Sequence, residues 1–140
     1  RRAAPGIPVK TAVDSSVLLA VFNGEPSAAS WVDLLIAARR EGQLVVCDVV
    51  YAELSLAFAT EAALQEALRK LGVSFESISP AAAWHAGASF RAYRDAGGPR
   101  NHLIPDFLIA AHAQIQANRL AASDRGYLRS RFPGLNVIHP

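Results

Sequence analysis

At 140 residues the chain has the length of one compact domain, and two full domains would leave each half too small to bury a good core. With 51% hydrophobic and 19% charged residues, its composition excludes disorder, and no apolar run reaches the roughly 18 residues of a membrane span. The formal net charge of +2 is uneven: residues 1–88 carry seven basic and nine acidic side chains, whereas residues 89–140 carry seven basic and three acidic.

Arg1–Pro8 reads as a short tail without the apolar core of a signal peptide. The lack of any methionine implies a start downstream of the initiator, and a single domain is expected over residues 9–140. Val9–Val13 is apolar and β-branched and predicts a strand ending at Asp14. Ser15 and Ser16 offer N-cap chemistry before a short helix over Val17–Phe22, stopped by Asn23-Gly24. Pro26 and Ser27 open a second helix with Trp31, Leu34, Leu35 and Ala38 at helical spacing, ended by Gly42. Leu44–Cys47 predicts a buried strand, and Asp48 a cap for a helix through about Phe58. A further helix is expected from about Glu61 to Leu71, then a strand over Val73–Ile78.

Ser79-Pro80 starts a long helix through about Asp95, and Gly97-Gly98-Pro99 breaks it. After the Gly97–Leu103 loop, Pro105 opens a helix to about Asn118. Short strands at Leu120–Ser123 and Asn136–Ile138 flank a small helix near Tyr127–Arg131. Strands alternating with helices predict a three-layer α/β/α sandwich around a mostly parallel sheet.

All seven basic residues beyond position 88 are arginines: Arg91, Arg94, Arg100, Arg119, Arg125, Arg129 and Arg131. The guanidinium fork suits phosphate oxygens, so the bias hints at a polyanionic partner, although a solvated face would show the same composition. The single cysteine, Cys47, reads as a small buried hydrophobe, and one thiol without a partner fits a reducing compartment, with the cytoplasm as the expected location.

Four carboxylates stand out. Asp14 lies at the carboxyl end of the first strand, the edge where open α/β sheets bind ligands, and reads equally well as a helix cap. Glu53 has Val49, Val50, Leu56 and Ala57 as its helical neighbours and no lysine or arginine within ten residues. A carboxylate on such an apolar stripe costs several kcal/mol unless paired or metal-bound. Asp106 occupies the first turn of a helix that continues apolar all round, and there it also interacts well with the helix dipole. Asp124 follows a short strand and reads alternatively as a cap for the helix of Tyr127. All four fall at strand ends or on helices that begin there, and a rim of acids needs a hard divalent cation for charge balance.

Ala12-Val13-Asp14-Ser15-Ser16-Val17-Leu18-Leu19, Val49-Val50-Tyr51-Ala52-Glu53-Leu54, Ile104-Pro105-Asp106-Phe107-Leu108-Ile109-Ala110-Ala111-His112, Ser123-Asp124-Arg125-Gly126-Tyr127 and Phe132-Pro133-Gly134-Leu135 follow in order. In sequence and spacing these segments resemble the PIN-domain ribonucleases, and within them the VapC-type toxins of bacterial toxin–antitoxin pairs. The resemblance implies four catalytic acids at Asp14, Glu53, Asp106 and Asp124, with Asp14 and Asp106 as ligands of Mg²⁺, for which Mn²⁺ is a substitute. Ser16 falls where the family carries a small polar residue that helps fix the first Asp. Ser123 stands where the family favours threonine, and Ala121-Ala122 where bulkier aliphatics are common, which softens the strand without removing an acid.

The implied activity is Mg²⁺-dependent endonucleolytic cleavage of single-stranded RNA, with Arg91, Arg94 and Arg100 as candidates for gripping flanking phosphates. The implied partners are a cognate antitoxin and a second copy in a homodimer, without a membrane. Leu18, Phe22, Trp31 and Leu35 are candidates for an apolar seat of an antitoxin helix, although Trp31 and Leu35 also read as core. His112, about 120° off the Asp106 face, reads as a core histidine. A haloacid-dehalogenase-type phosphatase wants an Asp where Ser16 stands, and a dinucleotide-binding enzyme wants a Gly-rich turn where Asp14-Ser15-Ser16 stands. The non-enzymatic alternative, a catalytically quiet PIN-type RNA-binding or scaffold module, is marked by loss of an acid, and none is lost.

Overall fold

The computed structural model of the chain describes residues 6–98, 104–123 and 126–140. Strand β1 (Thr11–Val13) leads to helices α1 (Ser15–Phe22) and α2 (Ala28–Glu41), then to β2 (Leu44–Val46). Helices α3 (Asp48–Ser55) and α4 (Glu61–Leu71) precede β3 (Val73–Phe75), and α5 (Pro80–Asp95) and α6 (Ile104–Gln116) precede β4 (Arg119–Ala121). Helix α7 (Tyr127–Arg131) and β5 (Val137–Ile138) close the order.

The strands form one sheet in the order β3-β2-β1-β4-β5, and every pairing is parallel, with Thr11 in register with Leu44 on one side and Arg119 on the other. Parallel strands covered on both faces need apolar side chains in both directions, and β1, β2 and β4 are buried throughout. The chain walks outward from β1 to β3, then returns to lay β4 and β5 on the far side of β1. Right-handed crossovers therefore put α1–α4 over one face and α5–α7 over the other, and α6 packs on β1 and β4 while α2 packs on β2. The expected α/β/α sandwich is what forms. Its topological switch point lies between β1 and β4, where open α/β sheets present their ligand crevice.

Local chemistry explains most element ends. Thr60 and Ser79 cap α4 and α5 by accepting from the Ala63 and Ala82 amides, and Gly72 ends α4 at φ 72°, a left-handed conformation that favours glycine. Three expectations are corrected. The cap of α1 is Asp14 itself, whose carboxylate accepts from the Ser16 amide, rather than Ser15 or Ser16. Asp48 is not a cap: Cys47 precedes α3, and the Asp48 carboxylate accepts from the Ile78 amide at 2.7 Å and the Ser77 hydroxyl at 2.9 Å. Strand β3 ends at Phe75 rather than Ile78. The Glu76 amide still donates to the Val46 carbonyl, but beyond it the backbone bonds to side chains. The Ser77 carbonyl accepts from Gln116, the Ile78 amide donates to Asp48 and the Ser79 amide to Gln116, while the Glu76 carboxylate pairs with Lys10 Nζ at 2.6 Å and His112 Nε2 at 2.9 Å.

Candidate active site

Asp14 follows the last residue of β1, and its amide donates to the Ala121 carbonyl of β4 at 3.0 Å, so the backbone that carries the carboxylate is tied across the switch point. The Asp14 side chain accepts from the Ser16 amide at 3.2 Å and makes a short hydrogen bond with the Ser16 hydroxyl. The cap reading and the site reading of Asp14 are thus compatible. One carboxylate oxygen is held by the start of α1 while the group stays half-buried at the sheet edge.

Glu53 reaches the same place from α3. Val50 and Leu54 bury that helix in the core, where α3 packs against α1 and α6, and Glu53 lies beside this stripe, half-buried. The Ser15 hydroxyl donates to Glu53 Oε1 at 2.8 Å. Burial pushes the Glu53 carboxyl above its ordinary range; the Ser15 bond pulls the other way, but the charges of Asp14 and Asp106 push it up further. The packing of α3 on α1 and α6 and the Ser15–Glu53 hydrogen bond bring the ends of β1, α3 and α6 around a shared acidic rim.

Asp106 stands exposed in the first turn of α6, where the helix dipole favours an anion. The next residue, Phe107, is fully buried and fixes this turn. Its ring meets Phe90 at 5.3 Å, Phe132 at 5.5 Å and Tyr93 at 5.6 Å, clamping the start of α6 between α5 and the segment after α7. Asp124 and Arg100 lie outside the described residues.

Oxygen donors make up this rim: three carboxylates with serine hydroxyls behind two of them. A hard divalent cation fits such a set and would offset the repulsion among these carboxylates. Among the described residues no three acidic, histidine or cysteine side chains close on one point as a full protein cage. Mg²⁺ binds through one or two carboxylates with several waters retained and does not require one.

The other sequence candidates fall elsewhere. Ser16 is exposed beside Asp14, and Arg91 and Arg94 are exposed on α5, with the Arg94 guanidinium 5.9 Å from the Phe90 ring centroid. Leu18, Trp31 and Leu35 are corrected: at 0%, 5% and 2% exposure they belong to the core, because their helical stripes face the sheet and offer no groove. Phe22 is half-buried, edge-on to Phe58 at 5.3 Å. His112 is a buried core histidine held by Glu76. Sequence reasoning missed two residues. Ser15 looked like a cap yet orients Glu53, 38 residues away, and Phe107 looked like generic core yet anchors the turn that bears Asp106. The only signal for either was adjacency to an acid.

The PIN domain family model matches residues 11–132, most of the chain and all three described acids. The chain belongs to the PIN-domain family. Among solved structures, this PIN domain is similar to VapBC2 from Rickettsia felis bound to a promoter DNA fragment, with a TM-score of 0.70 and 16% identity over 92% of this chain and 97% of the other. It is similar to VapBC-1 from nontypeable Haemophilus influenzae, with a TM-score of 0.66 and 21% identity over 92% and 96%. It is also similar to Mycobacterium tuberculosis VapC20, described as a sarcin–ricin loop cleaving toxin, with a TM-score of 0.63 and 17% identity over 93% and 99%. These likenesses establish a shared fold. No curated protein sequence matches the chain. Among the described residues no helix is long and apolar enough to cross a membrane.

Proposed function

We propose that this PIN domain is a Mg²⁺-dependent endoribonuclease that cleaves single-stranded RNA as the toxin of a bacterial toxin–antitoxin pair. The observation that carries the reading is the placing of Asp14, Glu53 and Asp106 at one end of the sheet by the Asp14–Ala121 backbone bond, the Ser15–Glu53 bond and the packing of α3 on α6. In that setting burial and both aspartates push the Glu53 carboxyl up. Asp14 and Asp106 would hold the ion, which would supply a water of lowered pKa and offset charge on the phosphate and leaving oxygen. Ser16 fixes one oxygen of Asp14, and Ser15 aims Glu53 at the rim. Glu53 and Asp124 would complete the shell, through water or a second ion, and one of them would orient the attacking water. Mn²⁺ substitutes for Mg²⁺.

The toxin role is supported by the fold shared with chains of VapBC structures and of a toxin–antitoxin complex. A cognate antitoxin inhibits by laying an amphipathic helix near the site and reaching a basic group into the acids. Leu56, 90% exposed and one turn from Glu53, is an accessible apolar contact on that flank. The protein is proposed to work in the cytoplasm, as a homodimer.

Cleavage of end-labelled single-stranded RNA by the purified protein tests the reading. Scission is expected with Mg²⁺ or Mn²⁺, none with EDTA, and none for Asp106→Asn, whose circular dichroism matches wild type. Undiminished cleavage by Asp106→Asn overturns the assignment, and RNA binding without any scission favours the quiet-module alternative.

A further inference from the structure

Helix α5 presents two unlike faces. Ala82, Ala86 and Tyr93 are buried, and Phe90 and Tyr93 pack on Phe107 of α6. On the opposite face stands Trp84, whose side chain is 76% exposed, followed by Gly87, Ala88 and Arg91, all exposed. At 100° per residue Arg91 falls within about 20° of Trp84 and about 10 Å further along the helix. Next to this stripe opens a cavity of about 540 Å³ lined by Gly87, Phe90, Arg91, Arg94, Asp95 and Gly98. Arg94 lies over the Phe90 ring, which holds its guanidinium at the cavity wall. Two arginines against one aspartate make the cavity cationic. Trp84 thus offers an open aromatic face beside this cationic cavity.

We infer that the outer face of α5 is a track for single-stranded RNA, on which Arg94 and Arg91 grip consecutive backbone phosphates and the Trp84 indole stacks a base. The inference rests on the ribonuclease reading and extends it to the substrate path. Orientation supports it: the carboxyl end of α5 is the end tied to Phe107, beside Asp106, so a strand with its reacting phosphate at the acids meets the arginines first and Trp84 about three turns away. Small residues between them leave the helix backbone open to close approach. Stacking on an aromatic flanked by arginines suits any base and therefore supplies affinity without sequence preference. A second copy of the chain is the competing occupant, but at a whole-chain charge of +2 it is not the polyanion that a cationic cavity favours.

The test uses the full chain with a short fluorescein-labelled single-stranded oligoribonucleotide of mixed sequence, in EDTA to prevent cleavage. Fluorescence anisotropy gives affinity across a salt series, and quenching of the intrinsic emission reports contact at Trp84, because the other tryptophan, Trp31, is 5% exposed and out of reach of a stacking base. RNA is expected to quench the emission, and Trp84→Ala to abolish the quenching and weaken binding at least about fivefold. Arg91→Ala and Arg94→Ala are each expected to lower the slope of log affinity against log salt by about 0.7, which a merely structural role would not do. If wild type binds and, with Mg²⁺, cleaves while the three variants bind equally well, the track is overturned and the ribonuclease reading stands. If wild type neither binds nor cleaves, both fall. If Trp84→Ala converts a dimer to monomer in sedimentation at unchanged RNA affinity, the face is an interface between copies and the track is wrong.

Discussion

Replacing Phe107 by leucine separates the role of packing at the site from the role of its acids. The Phe107 ring is fully buried and touches the rings of Phe90, Tyr93 and Phe132 at 5.3–5.6 Å, so leucine loses the ring contacts and leaves a partial void. Aromatic pairs contribute about 0.5–1.5 kcal/mol each beyond area, and a residual cavity costs about 24 cal/mol per Å³. With leucine filling most of the space, the net cost is about 2 kcal/mol. For a chain of this length the unfolding entropy near 60 °C is about 0.3 kcal/mol/K, so the melting temperature should fall by about 7 °C. The first turn of α6 loses its clamp, and Asp106 is displaced or loosened by a fraction of an ångström. Cleavage of labelled RNA at 25 °C, where the variant remains folded, should therefore drop about tenfold or more, since a 1 Å misplacement costs on the order of a hundredfold. A variant that melts 7 °C lower but cleaves at the wild-type rate would refute the view that this cluster positions Asp106. An unchanged melting temperature would refute the packing estimate itself.

Asp14→Asn keeps a good N-cap while removing the charge, so it should abolish cleavage yet leave stability within about 0.5 kcal/mol, whereas Asp14→Ala should abolish cleavage and also cost about 1 kcal/mol in urea unfolding. Glu53, whose folded pKa is raised by burial and by Asp14 and Asp106 despite Ser15, weakens the metal-free fold progressively as pH rises past its unfolded pKa towards its folded one. Glu53→Gln, which can still accept from Ser15, should therefore melt higher than wild type at pH 7 in EDTA, and the gain should vanish at pH 3. Glu76 behaves oppositely: partial burial opposes its ionisation, but Lys10 and His112 outweigh burial and hold its carboxyl below the usual range. Its stabilisation is present above the unfolded value and is lost as pH falls through the folded one. Glu76→Gln should cost about 2 kcal/mol in urea unfolding at pH 7 and nearly nothing at pH 2.

Where local chemistry decides an element, the sequence is a reliable guide. The Ser79-Pro80 start of α5 and the Gly72 end of α4 are read directly from residue type, because a cap and a left-handed glycine act over three or four residues. Long-range partners are invisible at that scale. Asp48 has the residue type of a cap, but its carboxylate is claimed by Ile78, 30 positions away, and β3 ends early because the backbone of Ser77–Ser79 bonds to the Asp48 and Gln116 side chains. Helical spacing finds an apolar stripe without saying what it faces, so Leu18, Trp31 and Leu35 serve the core just as well as the expected groove. Glu53 stands out in the sequence for a physical reason: a carboxylate without a local cation has no inexpensive structural explanation. Its hydroxyl partner Ser15 was not legible, since a serine after Asp14 already has a reason to be there.

A crystal structure of the protein soaked in Mn²⁺, recorded for anomalous scattering, tests the central claim most directly. The expected result is a Mn²⁺ peak bound by the carboxylates of Asp14 and Asp106, with Glu53 and Asp124 facing it directly or through water, and no peak there in crystals of Asp14→Asn. A protein saturated with Mn²⁺ whose peaks all lie away from Asp14 and Asp106, or whose Asp124 turns away from the β1/β4 switch point while the other acids stay unmetallated, would contradict the account.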